Sequence, residues 1–191
     1  MAGVVHLRSY DDRDRDDEET GKVISATVEL LREVPYSDIT MQAISKRAGI
    51  SIGSLREHFW STDAIVAEIY LDRLRAVPLD VDVDRDAKER IVAQFSHLVM
   101  LLADEPGLAA ACSSALVCSD PSVRSVRERI NAEYHRRVRT MLRSGAWPEV
   151  TQTLEFGLVG ALVHASCGVS DFQQTADDLA CMVATVLPDG S

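Results

Sequence analysis

Residues Thr40 to Phe59, TMQAISKRAGISIGSLREHF, constrain this chain more than any other stretch. They specify a helix, a tight turn and a second helix. Thr40 stands at an N-cap position, where its hydroxyl can accept a free backbone N–H. Met41, Ile44 and Ala48 follow at helical spacing and give one apolar face. Gly49 falls where that helix ends and the chain needs a positive φ. Ser51 can cap the next helix, whose inner face is Ile52, Leu55 and Phe59. Two short helices around a glycine turn form a unit able to set its second helix in a DNA major groove.

Composition narrows the rest. The chain has 191 residues, enough for one large or two small domains, with 46% hydrophobic and 26% charged residues. It has no apolar run of about eighteen residues, so no transmembrane helix is expected. Its charged start excludes a secretory signal and points to the cytoplasm. Cys112, Cys118, Cys167 and Cys181 lie in apolar helical patterns and read as buried, reduced thiols, with a redox switch as the competing reading. No CxxC or Cys/His cluster suggests a metal, and no cofactor motif is present. A net charge of −10 opposes non-specific DNA binding, so a local patch must overcome it. Within the opening motif Lys46, Arg47 and Arg56 stand against Glu57, a mildly positive balance.

The periodicity predicts an all-α chain of about nine helices. Residues 1–19 carry DDRDRDDEE and little to bury, which reads as a solvated acidic arm. A sharper reading is an acidic strip that competes with phosphate for the basic patch. Thr20 can cap a first helix to about Glu33, with Ile24, Thr27, Val28 and Leu31 inward and Pro35 as its stop. A fourth helix starts from Ser61 and buries Ile65, Val66 and Ile69. Residues 76–84 form a connector. Further helices are expected over 86–103, 108–117, 121–143, 150–169 and 172–187, with a turn at 144–148. The long helix from Pro121 presents Val123, Val126, Ile130, Tyr134, Val138 and Met141 on one stripe, and its arginines read as a solvated surface.

From Gly21 to about Leu74 the chain resembles the DNA-binding domain of TetR-family transcriptional regulators. The residues that carry the likeness are Thr40, Ile44-Ser45, Ala48-Gly49-Ile50-Ser51, Gly53-Ser54, Leu55-Arg56, His58-Phe59 and Ser61-Thr62. The resemblance implies a three-helix helix-turn-helix domain over 20–75 and a helical effector-binding and dimerisation domain over 76–191. It assigns DNA contact to Thr40, Gln42, Ser51, Ile52, Gly53, Ser54, Arg56, His58 and Thr62. Gln42 suits adenine, Ile52 a thymine methyl, and Arg56 a phosphate or guanine. Two positions depart from the family: Arg56 replaces its usual tyrosine and Thr62 its usual lysine. An acidic arm also replaces the basic one common in relatives.

The likeness further implies a homodimer that reads a palindrome through heads about 34–36 Å apart. Gly157, Gly160, Ala161 and Ala165, with Leu179, Met182, Val183 and Val186, suit a four-helix interface. Phe95, Met100, Leu101, Tyr134, Met141, Phe156 and His164 are candidates for a pocket lining. Leu108 to Asp120 and the last helices resemble actinobacterial repressors of sterol and lipid catabolism, which implies a bulky apolar or acyl-CoA-like effector. Two rival readings remain. Gly49 to Gly53 formally matches G-x-S-x-G, but a helix precedes it, so an enzyme is not expected. The other is a ligand- or protein-binding module of the same fold with weakened or lost DNA binding.

Overall fold

The computed structural model describes residues 10–79, 84–143 and 147–187. Among them the chain forms nine α-helices and no strand. In order these are α1 (Tyr10–Glu33), α2 (Met41–Ala48), α3 (Ile52–His58), α4 (Thr62–Ala76), α5 (Ala87–Met100), α6 (Pro106–Val117), α7 (Arg124–Leu142), α8 (Pro148–Ser166) and α9 (Phe172–Val186). Single 3-10 turns, Tyr36–Asp38 and Pro121–Val123, precede α2 and α7. Part of the expected connector (80–83) and of the expected turn (144–146) lies outside the described residues.

The first helix corrects the reading of the arm. It begins at Tyr10, not Thr20, so residues 10–19 are helical. The acidic run sustains a helix through i,i+4 pairs: Arg15 with Glu19 and Glu18 with Lys22. Residues 1–9 lie outside the described residues. The buried stripe of α1 is Val23, Ala26, Thr27, Leu30 and Leu31, with Ile24 and Val28 half-buried beside it.

α4 is the spine of the molecule. Ala64 to Ala67, Ile69 to Leu71 and Leu74 are all buried. Asp72, Arg75 and Ala76 remain exposed, and α1, α6 and α7 cover the apolar faces. α5, α8 and α9 complete a second layer on α7. The Glu105 carboxylate, at the start of α6, reaches Arg32 of α1 at 3.0 Å and Arg73 of α4 at 2.8 Å. Nearby, α6 and α1 touch backbone to backbone: a Cβ on Gly107 would stand 2.5 Å from the Leu31 carbonyl oxygen.

The arginines of α7 are not uniformly solvated. Arg137 is 1% exposed. Its Nε donates to Glu133 Oε1 at 2.7 Å, and its Nη2 donates to the carbonyls of Leu74 (2.7 Å) and Val77 (2.8 Å). Carbonyls at a helix end lack intrahelical donors, so Arg137 caps the end of α4 from another helix. Arg136 and then Arg137 hold the Glu133 carboxyl below the usual carboxylate range. That stability is present above the ordinary carboxylate pKa and is lost as pH falls through the lowered one.

The cysteine reading is corrected too. Cys112 is buried, and burial pushes its thiol up to about 12, but Cys118 is half-buried and Cys167 and Cys181 are exposed. Both exposed thiols sit where α8 and α9 turn their outer faces to solvent.

Arg137→Met should lower the unfolding free energy by about 2 kcal/mol, because it strands two carbonyls and leaves the Glu133 carboxylate to Arg136 alone. Urea denaturation checks this; an unchanged midpoint contradicts the capping role.

Candidate nucleic-acid interface

Local chemistry builds the two-helix unit. The Thr40 hydroxyl accepts from the Ala43 N–H at 3.2 Å and starts α2. Gly49 ends α2 with φ of 70°, the left-handed conformation glycine tolerates best. The turn is pinned from inside, where the Ser45 hydroxyl donates to the Ile50 carbonyl at 2.8 Å. Ser51 accepts from the Ser54 N–H at 3.0 Å and starts α3; Ser61 accepts from Ala64 at 3.1 Å and starts α4. Ile44, Leu55 and Phe59 are buried and fix the angle between the helices.

The outer face is small and polar. Thr40, Gln42, Ser51, Gly53 and Arg56 are exposed, and Ile52, Ser54, His58 and Thr62 are half-buried. Arg47 is engaged: it pairs with Glu33 at 2.6 Å and Glu29 at 3.3 Å, joining α2 to α1. Lys46 and Arg56 have no carboxylate partner among the described residues and are the free cations of the unit. Trp60, just past α3, is 82% exposed, an amphipathic ring beside the helix start where a backbone phosphate can approach.

One contact was not foreseen from sequence. The Ser54 hydroxyl donates to the carboxylate of Glu19, and His58 Nε2 lies 3.7 Å from the same group. The Ser54 hydrogen bond, then Arg15, holds the Glu19 carboxyl below the usual range. An anion therefore stands on the outer face of α3.

A second candidate site lies between α4, α6, α7 and α8. A cavity of about 190 Å³ is bounded by Tyr70 of α4, Cys112 of α6, Arg127, Asn131 and Tyr134 of α7, and Leu162 of α8. The Tyr70 and Tyr134 hydroxyls are hydrogen-bonded to each other. Burial pushes both phenols up, so they are neutral donors. The pair has two hydroxyl hydrogens and uses one internally; the other has no protein acceptor among the described residues. Arg127 caps the end of α6 through the carbonyls of Leu116 (3.3 Å) and Cys118 (2.6 Å).

Of the seven residues expected to line a pocket, Tyr134 borders this cavity. Phe95 and Met141 are packed into the core, Leu101 is half-buried against it, and Met100 is exposed. Phe156 and His164 lie on a surface groove between α8 and α9. Arg127, Asn131 and Tyr134 recur at i, i+4 and i+7, so a polar stripe on an otherwise inward face was the signal available in sequence.

The residues expected at a dimer interface divide in two. Ala165, Leu179 and Val183 are buried within the chain's own core. Gly157 lets the Met182 side chain lie across it, so it serves α8–α9 packing. Gly160 is open, and Ala161, Met182 and Val186 are half-buried. Phe156 at 68% and Val159 at 39% exposure, beside Gly160, leave an apolar outer face on α8.

Comparison with known proteins agrees with this geometry. The model of the bacterial regulatory proteins of the tetR family matches residues 23–69. Uncharacterized HTH-type transcriptional regulators of Mycobacterium bovis and of Mycobacterium tuberculosis (strain ATCC 25618 / H37Rv) are each 38% identical over 168 residues, covering 87% of this chain and 79% of the relative. A TetR transcriptional regulator from Rhodococcus sp. RHA1 superposes with a TM-score of 0.77 at 14% identity, over 93% of this chain and 100% of that one. The regulator FadR from Bacillus subtilis, solved in complex with stearoyl-CoA, superposes with a TM-score of 0.66 at 17% identity, over 87% and 98%. The last two show a shared fold; the mycobacterial likeness shows kinship. The chain belongs to the TetR family of bacterial transcriptional regulators.

Proposed function

We propose that this regulator is a ligand-responsive repressor, without catalytic activity, that acts in the cytoplasm. It binds palindromic operator DNA as a homodimer and leaves it when a small molecule enters the second body. Residues 20–75 form the reading head, 76–191 hold the effector and the dimer contact, and residues 10–19 extend the head's first helix. α3 enters the major groove with Ile52 and Gly53 close to base edges, and Gln42 beside them. Thr40, Ser51, Arg56 and Thr62 serve the phosphates. The exposed apolar face of α8 around Phe156, Val159 and Gly160 meets its twin.

The observation that carries ligand response is the cavity, because Tyr70 stands on α4, the helix that leads directly from the head. A ligand there acts on a helix packed against α1, which in turn packs on α2. The cavity's volume of about 190 Å³ argues for a compact effector. It exceeds the ~150 Å³ that holds benzene and falls short of the roughly 300–1,000 Å³ of drug-sized sites. A bulky sterol-like or acyl-CoA-like effector, expected from sequence, would need the cavity to widen. The free tyrosine hydrogen calls for one neutral acceptor oxygen on a ligand of one or two rings.

A second reading, a module of the same fold with weakened DNA binding, is favoured by one observation: Glu19 sets a negative charge among Ser54 and His58.

Two measurements test the proposal. The chain should form a salt-dependent complex with DNA upstream of its own gene, two protomers to a site, and Arg56→Ala should weaken it about tenfold and lower the salt slope by about one. Unchanged affinity in Arg56→Ala removes the phosphate role. Among one- and two-ring compounds in matched pairs, the member with one neutral carbonyl or ether oxygen should raise the melting temperature more and dissociate the DNA complex. The double variant Tyr70→Phe, Tyr134→Phe should erase that preference. Equal response to both members of each pair contradicts the assigned ligand chemistry.

A further inference from the structure

We infer that Glu19 is a specificity-determining residue of the DNA-binding surface, one whose fixed negative charge turns the reading helix away from unmatched DNA. The inference rests on the proposed placement of α3 in DNA and deepens it.

The contact is held in place and sheltered. Glu19 and His58 side chains are only 15% and 16% exposed, each covered by its neighbours. Ser54 and His58 are four residues apart and share one face of α3. Glu19 therefore lies against both polar groups of that face, hydrogen-bonded to Ser54 and 3.7 Å from His58. It projects from a continuous 24-residue helix whose C-terminal half is locked in the core by Val23, Thr27 and Leu31. The carboxylate cannot swing away as a side chain on a loose arm could. Arg15 offers partial compensation, with its Nε 3.2 Å from Glu19 Oε1, but its side chain is 78% exposed and lies on the solvent side. Asp16, Asp17 and Glu18 continue the negative run on the same helix.

Non-specific DNA binding is driven by phosphate contacts, whereas base contacts add their share only at a matched site. A charge fixed on the reading face acts against both kinds of complex. At a matched site Ser54 and His58 can be drawn from Glu19 to base edges, and the closer fit fixes the phosphates at a distance from it. On unmatched DNA the backbone slides over the face and meets the carboxylate with no base contacts to offset it. Glu19 thus costs unmatched DNA more than matched DNA. The overall charge of −10 works in the same direction at longer range.

The experiment compares the full chain with Glu19→Gln, which keeps an acceptor for Ser54 and removes the charge, and with Glu19→Ala, which removes both. Affinity is measured by anisotropy at low salt for two duplexes: the upstream region of its own gene and a scrambled duplex of the same length and composition. Glu19→Gln should bind scrambled DNA about tenfold tighter or more, with a smaller gain on the upstream duplex. No gain, a loss, or an equal gain on both overturns the inference; a loss would instead mark Glu19 as a base-reading acceptor. Hydrogen exchange at α3 amides, measured without DNA, reports the contact by itself. Faster exchange in Glu19→Ala is expected, and no change means that the contact does not exist in solution. If the wild type binds neither duplex while Glu19→Gln binds both, with the larger gain on the scrambled one, the charge effect stands and the operator reading fails.

Discussion

The burial of the apolar residues of α4 is the constraint on which the rest of the structure depends. The eight buried residues of α4, from Ala64 to Leu74, have no stable place outside a core, so α1, α6 and α7 must close on them together. Its two ends are fixed by groups from elsewhere in the chain. At its start the Ser61 hydroxyl meets that of Ser122 at 2.9 Å, tying the head to the turn before α7. At its end Arg137 of α7 holds the last carbonyls. Between them Tyr70 faces the cavity and pairs with Tyr134 of α7. α4 and α7 are thus joined at three levels, and close-packed interiors shift between discrete arrangements more readily than they bend. The tyrosine pair, where the proposed ligand would compete, stands at the middle of this ladder.

The head shows how much of a fold short-range chemistry can specify. Thr40, Gly49, Ser51 and Ser61 each act within about four residues of their own position, and each does in the structure what its residue type suggests. The stripe of α7 was legible for the same reason, since helical periodicity reports burial directly. The features that escaped are all long-range. Arg137 belongs to a charged face by pattern, but its partners Leu74 and Val77 lie some sixty residues earlier in the chain. The acidic run before Thr20 has the composition of a solvated arm, and it folds because its ion pairs and the core-locked half of α1 extend the helix backwards. Phe95 and Met141 show that an inward stripe does not distinguish a packed side chain from one beside a cavity. Ala165, Leu179 and Val183 show the same for a core against an interface.

The electrostatics of the head combine restraint with access. One of its cations, Arg47, is spent on Glu29 and Glu33, which fasten α2 to α1. Arg56 and Lys46 remain, and Trp60 adds an exposed ring at the edge. With Glu19 on the face itself, few net charges favour contact with phosphate. On the proposed placement of α3, such a surface depends on shape and base contacts for its grip, and the small residues Gly53 and Ser54 suit close approach.

The placement of α3 in DNA is tested most directly by the distance between its two copies. Spin labels at Glu57, an exposed position of α3, report that distance by dipolar spectroscopy in the complex of dimer and upstream DNA. Insertion of both copies into successive major grooves predicts a separation near 34–36 Å. A separation unrelated to one turn of the double helix or a multiple of it, or a complex holding one protomer, would contradict it.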